Sequence, residues 1–291
     1  FKINKFIMKR RILLPTDFSK NAWRAITYAQ ELYKNESCNF YILNVFSATG
    51  NPIVSLISLE PGSELYETAR LKSENGLAKI LDKLTLEKTK NPKHHFEIIS
   101  KFNNTIEAIK TVVEEKDIDM IVMGSKGETE SIKAVFGSVA IDVMEKVRNC
   151  PVIVVPELAK NILPKEIVFP TSFKTHLKRR ELKHLVELAN SCKASIKFLH
   201  IKTEEKLNKT QVNNKKLLEE YFENVDYSFH ELSHNDIFVA INCFVESRDS
   251  DMVAFINKKH AFFGSILTKP LVKEIGYASK VPLLVMHDLR N

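Results

Sequence analysis

Three of the eight glycines in this 291-residue chain, Gly124, Gly127 and Gly137, fall within fourteen positions, and Ser138 follows the last of them. The spacing is G-x2-G-x9-G-S. A glycine just beyond a strand lets the backbone approach an anion with no Cβ in the way, and it tolerates the φ angles that turn successive N–H groups toward one point. Gly137-Ser138 at the predicted start of an amphipathic helix adds first-turn donors, the positive end of the helix dipole and a hydroxyl. The chemistry this pattern suits is phosphate binding. Lys126 inside the motif either adds a point charge or is a solvated lysine. Pro15-Thr16-Asp17 follows an earlier apolar run, and Pro15 fixes the direction of that turn. Asp17 is placed to accept from a sugar hydroxyl or a base amino group; the competing use is to satisfy N–H groups at the start of the next helix. Val45, ending a second apolar run, suits contact with a flat base or simple core packing.

Those residues need strands to carry them. Apolar runs place strands at 11–14, 39–45, 95–101, 120–123 and 152–155 in the first half of the chain. Helical spacing predicts helices over 105–115 and 138–146, and a charged helix over about 63–86. Alternating strands and helices argue for a parallel sheet covered on both faces, and right-handed crossovers make it doubly wound. Ligands of such sheets bind outside the strand carboxyl ends at the point where strand order reverses. The residues after the first and fourth strands are therefore expected to share one cleft.

The chain also repeats itself. Arg11-Ile-Leu-Leu-Pro-Thr-Asp-Phe matches Glu166-Ile-Val-Phe-Pro-Thr-Ser-Phe, Asp119-Met-Ile-Val matches Asp251-Met-Val-Ala, and Cys150-Pro-Val-Ile-Val-Val resembles Val281-Pro-Leu-Leu-Val-Met. Pro15 to Pro170 is an offset of 155 positions and Pro151 to Pro282 one of 131, so the second copy is 24 residues shorter. The extra length is assigned to residues 46–92. The domains are drawn at 9–158 and 163–289, each large enough for its own core.

Bulk composition narrows the classes. The formal charge of +7 is spread evenly, with 23 Lys and Arg against 20 Asp and Glu in residues 1–160, so neither half is a basic nucleic-acid-binding domain. The cluster Lys178, Arg179, Arg180 and Lys183 reads as a solvated helix face. No run approaches the roughly 18 apolar residues of a membrane span. Cys38, Cys150, Cys192 and Cys243 have neither metal-ligand nor disulfide-scaffold spacing, which points to reduced thiols and a cytoplasmic chain. His230 and His234 lie about 13 Å apart if on one strand, too far to share a metal. His94-His95 reads as a solvated turn pair, and Trp23 as packing. Hydrolase and P-loop signatures are absent, so no catalytic residue is assigned and hydrolysis of a bound phosphate compound is expected to be slow or incidental.

Taken together, the motif and the repeat resemble the universal stress protein family, in its ATP-binding branch, from about residue 9 to 288. The resemblance implies two flavodoxin-like sheets of the adenine nucleotide α-hydrolase-like kind, packed as an internal pseudo-dimer like the family's homodimer of single domains, with the final strands of both halves at the interface. It implies ATP, with or without magnesium, as the ligand. Gly124, Gly127, Gly137 and Ser138 would hold phosphates and ribose, Asp17 and Val45 would flank the nucleoside, and Val139 would follow the motif with Met123 at the adjoining strand end; Pro15, Thr16 and Lys126 complete the candidate site. A nucleotide-dependent role in stress adaptation through a client protein follows from the same resemblance; homodimerisation stays open. The alternatives are a scaffold that no longer uses nucleotide, a slow ATPase, and a sensor using the second copy.

The second copy departs from the motif. Ser172 stands for Asp17, and alignment on the two Cys/Val-Pro segments puts Thr268 and Lys269 at the places of Gly137 and Ser138. Gly264-Ser265 lies four positions too early, and Lys258, Lys259, His260, Phe262 and Phe263 would fill a phosphate cradle. The second copy is expected to bind no ATP in the family manner.

Overall fold

In this computed structural model the described residues are 9–46, 61–86, 91–127, 136–202, 206–234, 236–257 and 280–287. The first half contains β1 (Arg10–Pro15), α1 (Lys20–Leu32), β2 (Cys38–Phe46), α2 (Glu64–Leu86), β3 (His94–Phe102), α3 (Thr105–Glu115), β4 (Met120–Gly124), α4 (Ser138–Lys146) and β5 (Val152–Val155). The second half contains β6 (Glu166–Pro170), α5 (Arg179–Cys192), β7 (Ser195–Lys202), α6 (Lys209–Tyr221), β8 (Tyr227–Ser233), α7 (Ile237–Arg248), β9 (Met252–Asn257) and β10 (Leu283–His287). The strands at 11–14, 39–45 and 95–101 each extend one residue further at both ends, because the flanking residues still pair in the ladder.

All ten strands form one sheet in the order β3-β2-β1-β4-β5-β10-β9-β6-β7-β8. Every pairing within a half is parallel, while β5 and β10 meet antiparallel at the centre, with Leu283 opposite Val154 and Val285 opposite Val152. The fold is the doubly wound α/β repeat expected from the sequence. Between β2 and β3 lie 47 residues (47–93) and between β7 and β8 lie 24 (203–226), so almost all of the length difference sits there.

Parallel strands covered on both faces must be apolar on both, and Ile12, Leu13 and Leu14 are all fully buried. Ile12 and Leu14 join a core shared with α1, α2, α5 and α6, whereas Leu13 faces a second core with α3, α4 and α7. Both cores run through the two halves. Polar ties add to this: the Arg10 guanidinium donates to Glu36 at 2.8 Å and to Glu187 of the second half at 2.9 Å. Arg24 donates to the Ala159 carbonyl oxygen at 3.0 Å through Nε, and Asn257 Nδ2 to the Met144 carbonyl oxygen at 3.0 Å.

The repeat extends to details of conformation. After β1 the Phe18 amide donates to Thr16 Oγ1 at 3.0 Å, and after β6 the Phe173 amide donates to Thr171 Oγ1 at 3.1 Å. Both phenylalanines are left-handed, at φ 69° and 56°. That conformation costs a residue with a Cβ about 1–2 kcal/mol, and the threonine hydroxyl helps to hold it. Helix α2 meets the first of these turns at Gly76, where an added Cβ would lie 2.4 Å from Phe18 Cζ. Glycine there lets the helix sit against the ring.

His94 is buried where β3 starts, not a solvated turn residue. Its Nε2 lies 3.1 Å from the Tyr33 carbonyl oxygen, which can only accept, and 3.2 Å from Asn91 Nδ2, which can only donate, so the ring's tautomer sets which of the two bonds forms. Among the described residues Nδ1 has no partner. Burial lowers the pKa of His94, outweighing the Tyr33 carbonyl that raises it, and burial likewise lowers that of His184. A folded-state pKa below the unfolded value of about 6.5 means that protons bind the unfolded chain preferentially. Stability is therefore full above about pH 6.5 and is lost as pH falls through that value towards the depressed folded pKa values. The expected result is a urea midpoint lower at pH 5.5 than at pH 7.5, with a smaller fall in His94→Gln; equal falls in both proteins would remove His94 as a contributor.

Candidate functional site

The crossovers through α1 and α2 pass over one face of the sheet and those through α3 and α4 over the other, so strand order reverses between β1 and β4. Neither crossover covers the carboxyl ends of these two strands, and a cavity of about 280 Å3 opens there. Pro15, Thr16 and Asp17 line it from the turn after β1, and Val45 from β2. Met123, Gly124, Lys126 and Gly127 line it from the end of β4, and Gly137 and Val139 from the start of α4. Ser138, also expected in the site, is exposed at the first position of α4 and does not line the cavity. Residues 128–135, the interior of the glycine motif, lie outside the described residues.

Two of the three glycines, Gly124 and Gly127, have a measurable reason. A Cβ on Gly124 would lie 3.0–3.1 Å from the Asn21 side chain and backbone, and one on Gly127 would lie 2.7 Å from Asp17 Oδ2. Asp17 takes up the local role open to it in the sequence, at the start of the next helix. Its Oδ1 accepts from the Ser19 amide at 3.1 Å, which steadies the turn, while Oδ2 faces the Gly127 backbone across the cleft.

Helix α4 contributes differently from its neighbours. Ser19, Asn104, Asn208 and Asp236 side chains cap α1, α3, α6 and α7, but α4 begins at Gly137 with no side-chain cap. The Gly137 amide donates to the Ser125 carbonyl oxygen at 2.7 Å, anchoring the helix start to the end of β4. The first turn brings Val139 and Ala140 into the cavity wall with the positive end of the helix dipole. Val139 is 42% exposed, an apolar side chain available to a ligand.

Lys126 is neither a lone point charge nor a fully solvated lysine. Its side chain is 20% exposed and its ammonium lies 3.3 Å from Glu157, just after β5. A phosphate in the cleft would have to share this cation with a carboxylate.

Three polar positions escaped the sequence reading. Asn44 lines the cavity and donates from Nδ2 to the Thr16 carbonyl oxygen at 2.7 Å, setting the turn relative to β2. Its signal was a polar residue interrupting the apolar run Tyr41-Ile-Leu-Asn-Val. Asn21 donates to the Lys126 carbonyl oxygen at 3.0 Å and to Ser125 Oγ at 3.3 Å, fixing the strand that carries the glycines. Thr105 enters from the first residue of α3; nothing local in the sequence marks it.

In the second half Pro170 pairs with Leu199 as Pro15 does with Leu43, so His200 takes the place of Asn44. His200 Nδ1 reaches the Thr171 carbonyl oxygen at 3.0 Å, and its ring lies 5.1 Å from that of Phe173. Ser172 accepts from the Lys174 amide at 3.3 Å and brings no carboxylate. Lys258, Lys259, His260, Phe262, Phe263, Gly264, Ser265, Thr268 and Lys269 lie outside the described residues.

A doubly wound sheet with a glycine-lined cleft at its strand reversal defines the class of α/β proteins that bind ligands beyond their strand carboxyl ends. Within that class, the model of the universal stress protein family matches residues 8–156, and this chain belongs to that family. A universal stress protein of Methanocaldococcus jannaschii is 29% identical over 156 residues, covering 51% of this chain and 96% of that protein. The crystal structure of a universal stress protein from Archaeoglobus fulgidus DSM 4304 superposes with a TM-score of 0.72 at 18% identity, covering 94% of this chain and 95% of that one. The second likeness takes in both halves of the fold. Among the described residues no group of three or more His, Cys, Asp or Glu side chains could hold a metal, and no helix is long and apolar enough to cross a membrane.

Asn21 provides a local test of this architecture. Replacing its amide by a carboxylate in Asn21→Asp sets two acceptors, the new carboxylate and the Lys126 carbonyl, against each other at a buried site. The expected loss is about 2–3 kcal/mol in urea unfolding, more than for Asn21→Ser. Equal stability of wild type and Asn21→Asp would show that the bond does not hold the glycine strand.

Proposed function

We propose that this chain is an ATP-binding stress-response regulator, in which the domain 9–158 holds the nucleotide and the domain 163–289 is its degenerate, built-in pairing partner. The observation that carries the reading is the meeting of three features in one cavity: the Asp17 carboxylate, glycines at which a Cβ would collide, and an uncapped helix start. The triphosphate would lie along Gly124, Gly127 and the first turn of α4. Ribose or adenine would meet Asp17 Oδ2, with Val45, Met123 and Val139 as the apolar wall and Thr16 shaping the floor.

Binding, not turnover, is the proposed activity. Asp17 is tied to its own turn, and no other described carboxylate lines the cavity to activate water. Magnesium would arrive with the nucleotide, since among the described residues no carboxylate cluster lines the cavity to hold it alone. The site of action would be the cytoplasm, with nucleotide occupancy changing the surface a client protein meets. The second reading, a scaffold without nucleotide, is favoured by one observation, the Lys126–Glu157 pair that already occupies the cleft's cation.

A thermal-shift titration of ATP with magnesium separates these readings. A ligand of the native state at one hundred times its Kd adds about 2.7 kcal/mol, a rise of several degrees in Tm. Gly127→Arg, whose side chain must enter beside Asp17, is expected to abolish the rise, and the recovered nucleotide is expected to be intact ATP. A folded wild type with no rise would establish the scaffold.

A further inference from the structure

A second concavity, of about 670 Å3, lies between α1 and α2 on the face of the sheet opposite α3 and α4. Among the described residues it meets the nucleotide cleft only at Thr16. Its floor is apolar, made by Phe18, Trp23 and Ile80, and Gly76 leaves the room that a Cβ would fill. Its rim is basic: Lys20 comes from α1, and Lys72, Lys79 and Lys83 come from α2 at helical spacing along one stripe. Among the described residues no carboxylate lines it.

Glu67 and Glu74 of α2 lie on another stripe, where Arg70 pairs with them at 2.7 Å and 2.9 Å. Lys20, Lys72 and Lys79 form no ion pair among the described residues, and Lys83 rests its ammonium 3.6 Å over the Trp23 ring. Four cations around one apolar floor repel one another, and an anionic partner relieves that repulsion while covering the floor. The length of the stripe selects the partner. Lys72 to Lys83 spans about 16 Å of helix at 1.5 Å per residue, too long for a single phosphate group and matched by about five residues of extended chain.

We propose that this groove docks an acidic segment of a partner protein, with carboxylates on the lysine stripe and a bulky apolar side chain on Trp23, Phe18 and Ile80. The proposal does not depend on nucleotide binding, because among the described residues the groove shares only Thr16 with the cleft.

Trp23 is the single tryptophan of the chain, so its emission reports on this groove alone. The probe is a synthetic twelve-residue peptide of glutamates and aspartates around two central leucines, titrated into the full chain at low and at physiological salt. The expected result is a saturable change in emission, weakened by salt and weakened at least tenfold in Lys72→Glu/Lys79→Glu, whose exposed positions leave the fold intact by circular dichroism. ATP is expected not to displace the peptide. No saturable change, an undiminished change in the double variant, equal binding of the peptide with its leucines replaced by serine, displacement by ATP, or equal potency of inorganic tripolyphosphate would each overturn the proposal. The last outcome would reassign the groove to small polyanions.

Discussion

The reversal of strand order between β1 and β4 is the constraint from which the site follows. A right-handed crossover obliges each helix to lie on the side set by the direction in which the chain moves along the sheet. Moving outward from β1 to β2 and β3 puts α1 and α2 on one face; returning past β1 to β4 and β5 puts α3 and α4 on the other. Between the two paths the ends of β1 and β4 remain uncovered. Every other element of the site answers to that gap: Asn44 and Asn21 tie the two strand ends to their surroundings, and α4 starts beside them through the Gly137–Ser125 bond.

The cleft has been kept free of side chains at some cost. Gly124 and Gly127 forgo burial and conformational restriction that larger residues would supply, and Phe18 holds a left-handed backbone at the adjacent turn. The second half repeats the turn, with Thr171 and Phe173 in the same geometry, but supplies serine and histidine where the first half has Asp17 and Asn44. The turn therefore belongs to the fold, and the acidic side chain beside the glycines belongs to the site.

Much of this was legible in the sequence, because strong local signals marked it. Helices α3 and α4 and strand β5 begin and end where periodicity placed them, since Asn104, Gly137 and Cys150-Pro151 punctuate the chain there. The repeat was visible because Pro-Thr-x-Phe needs the same residues wherever that turn is built. What stayed hidden depended on pairings distant in sequence. Asn21 meets Lys126 across 105 positions, His94 is buried through Tyr33 61 positions away, and Lys126 finds Glu157 only because β5 lies beside β4. The lysine stripe of α2 escaped notice because its cations are spread through the sequence and gather only when a helix is wound and α1 is set beside it.

The antiparallel junction of β5 with β10 has a further consequence. In an assembly of two separate chains, pairing would weaken on dilution, and any change on one surface would appear on both partners at once. Here the partners share one backbone, so their local concentration is fixed by the intervening chain and is insensitive to the amount of protein present. A substitution in one half is matched against an unaltered neighbour. That arrangement lets two halves with one ancestry specialise apart, and it makes the pairing of β5 with β10 a permanent feature of the molecule that no change in protein abundance can switch off.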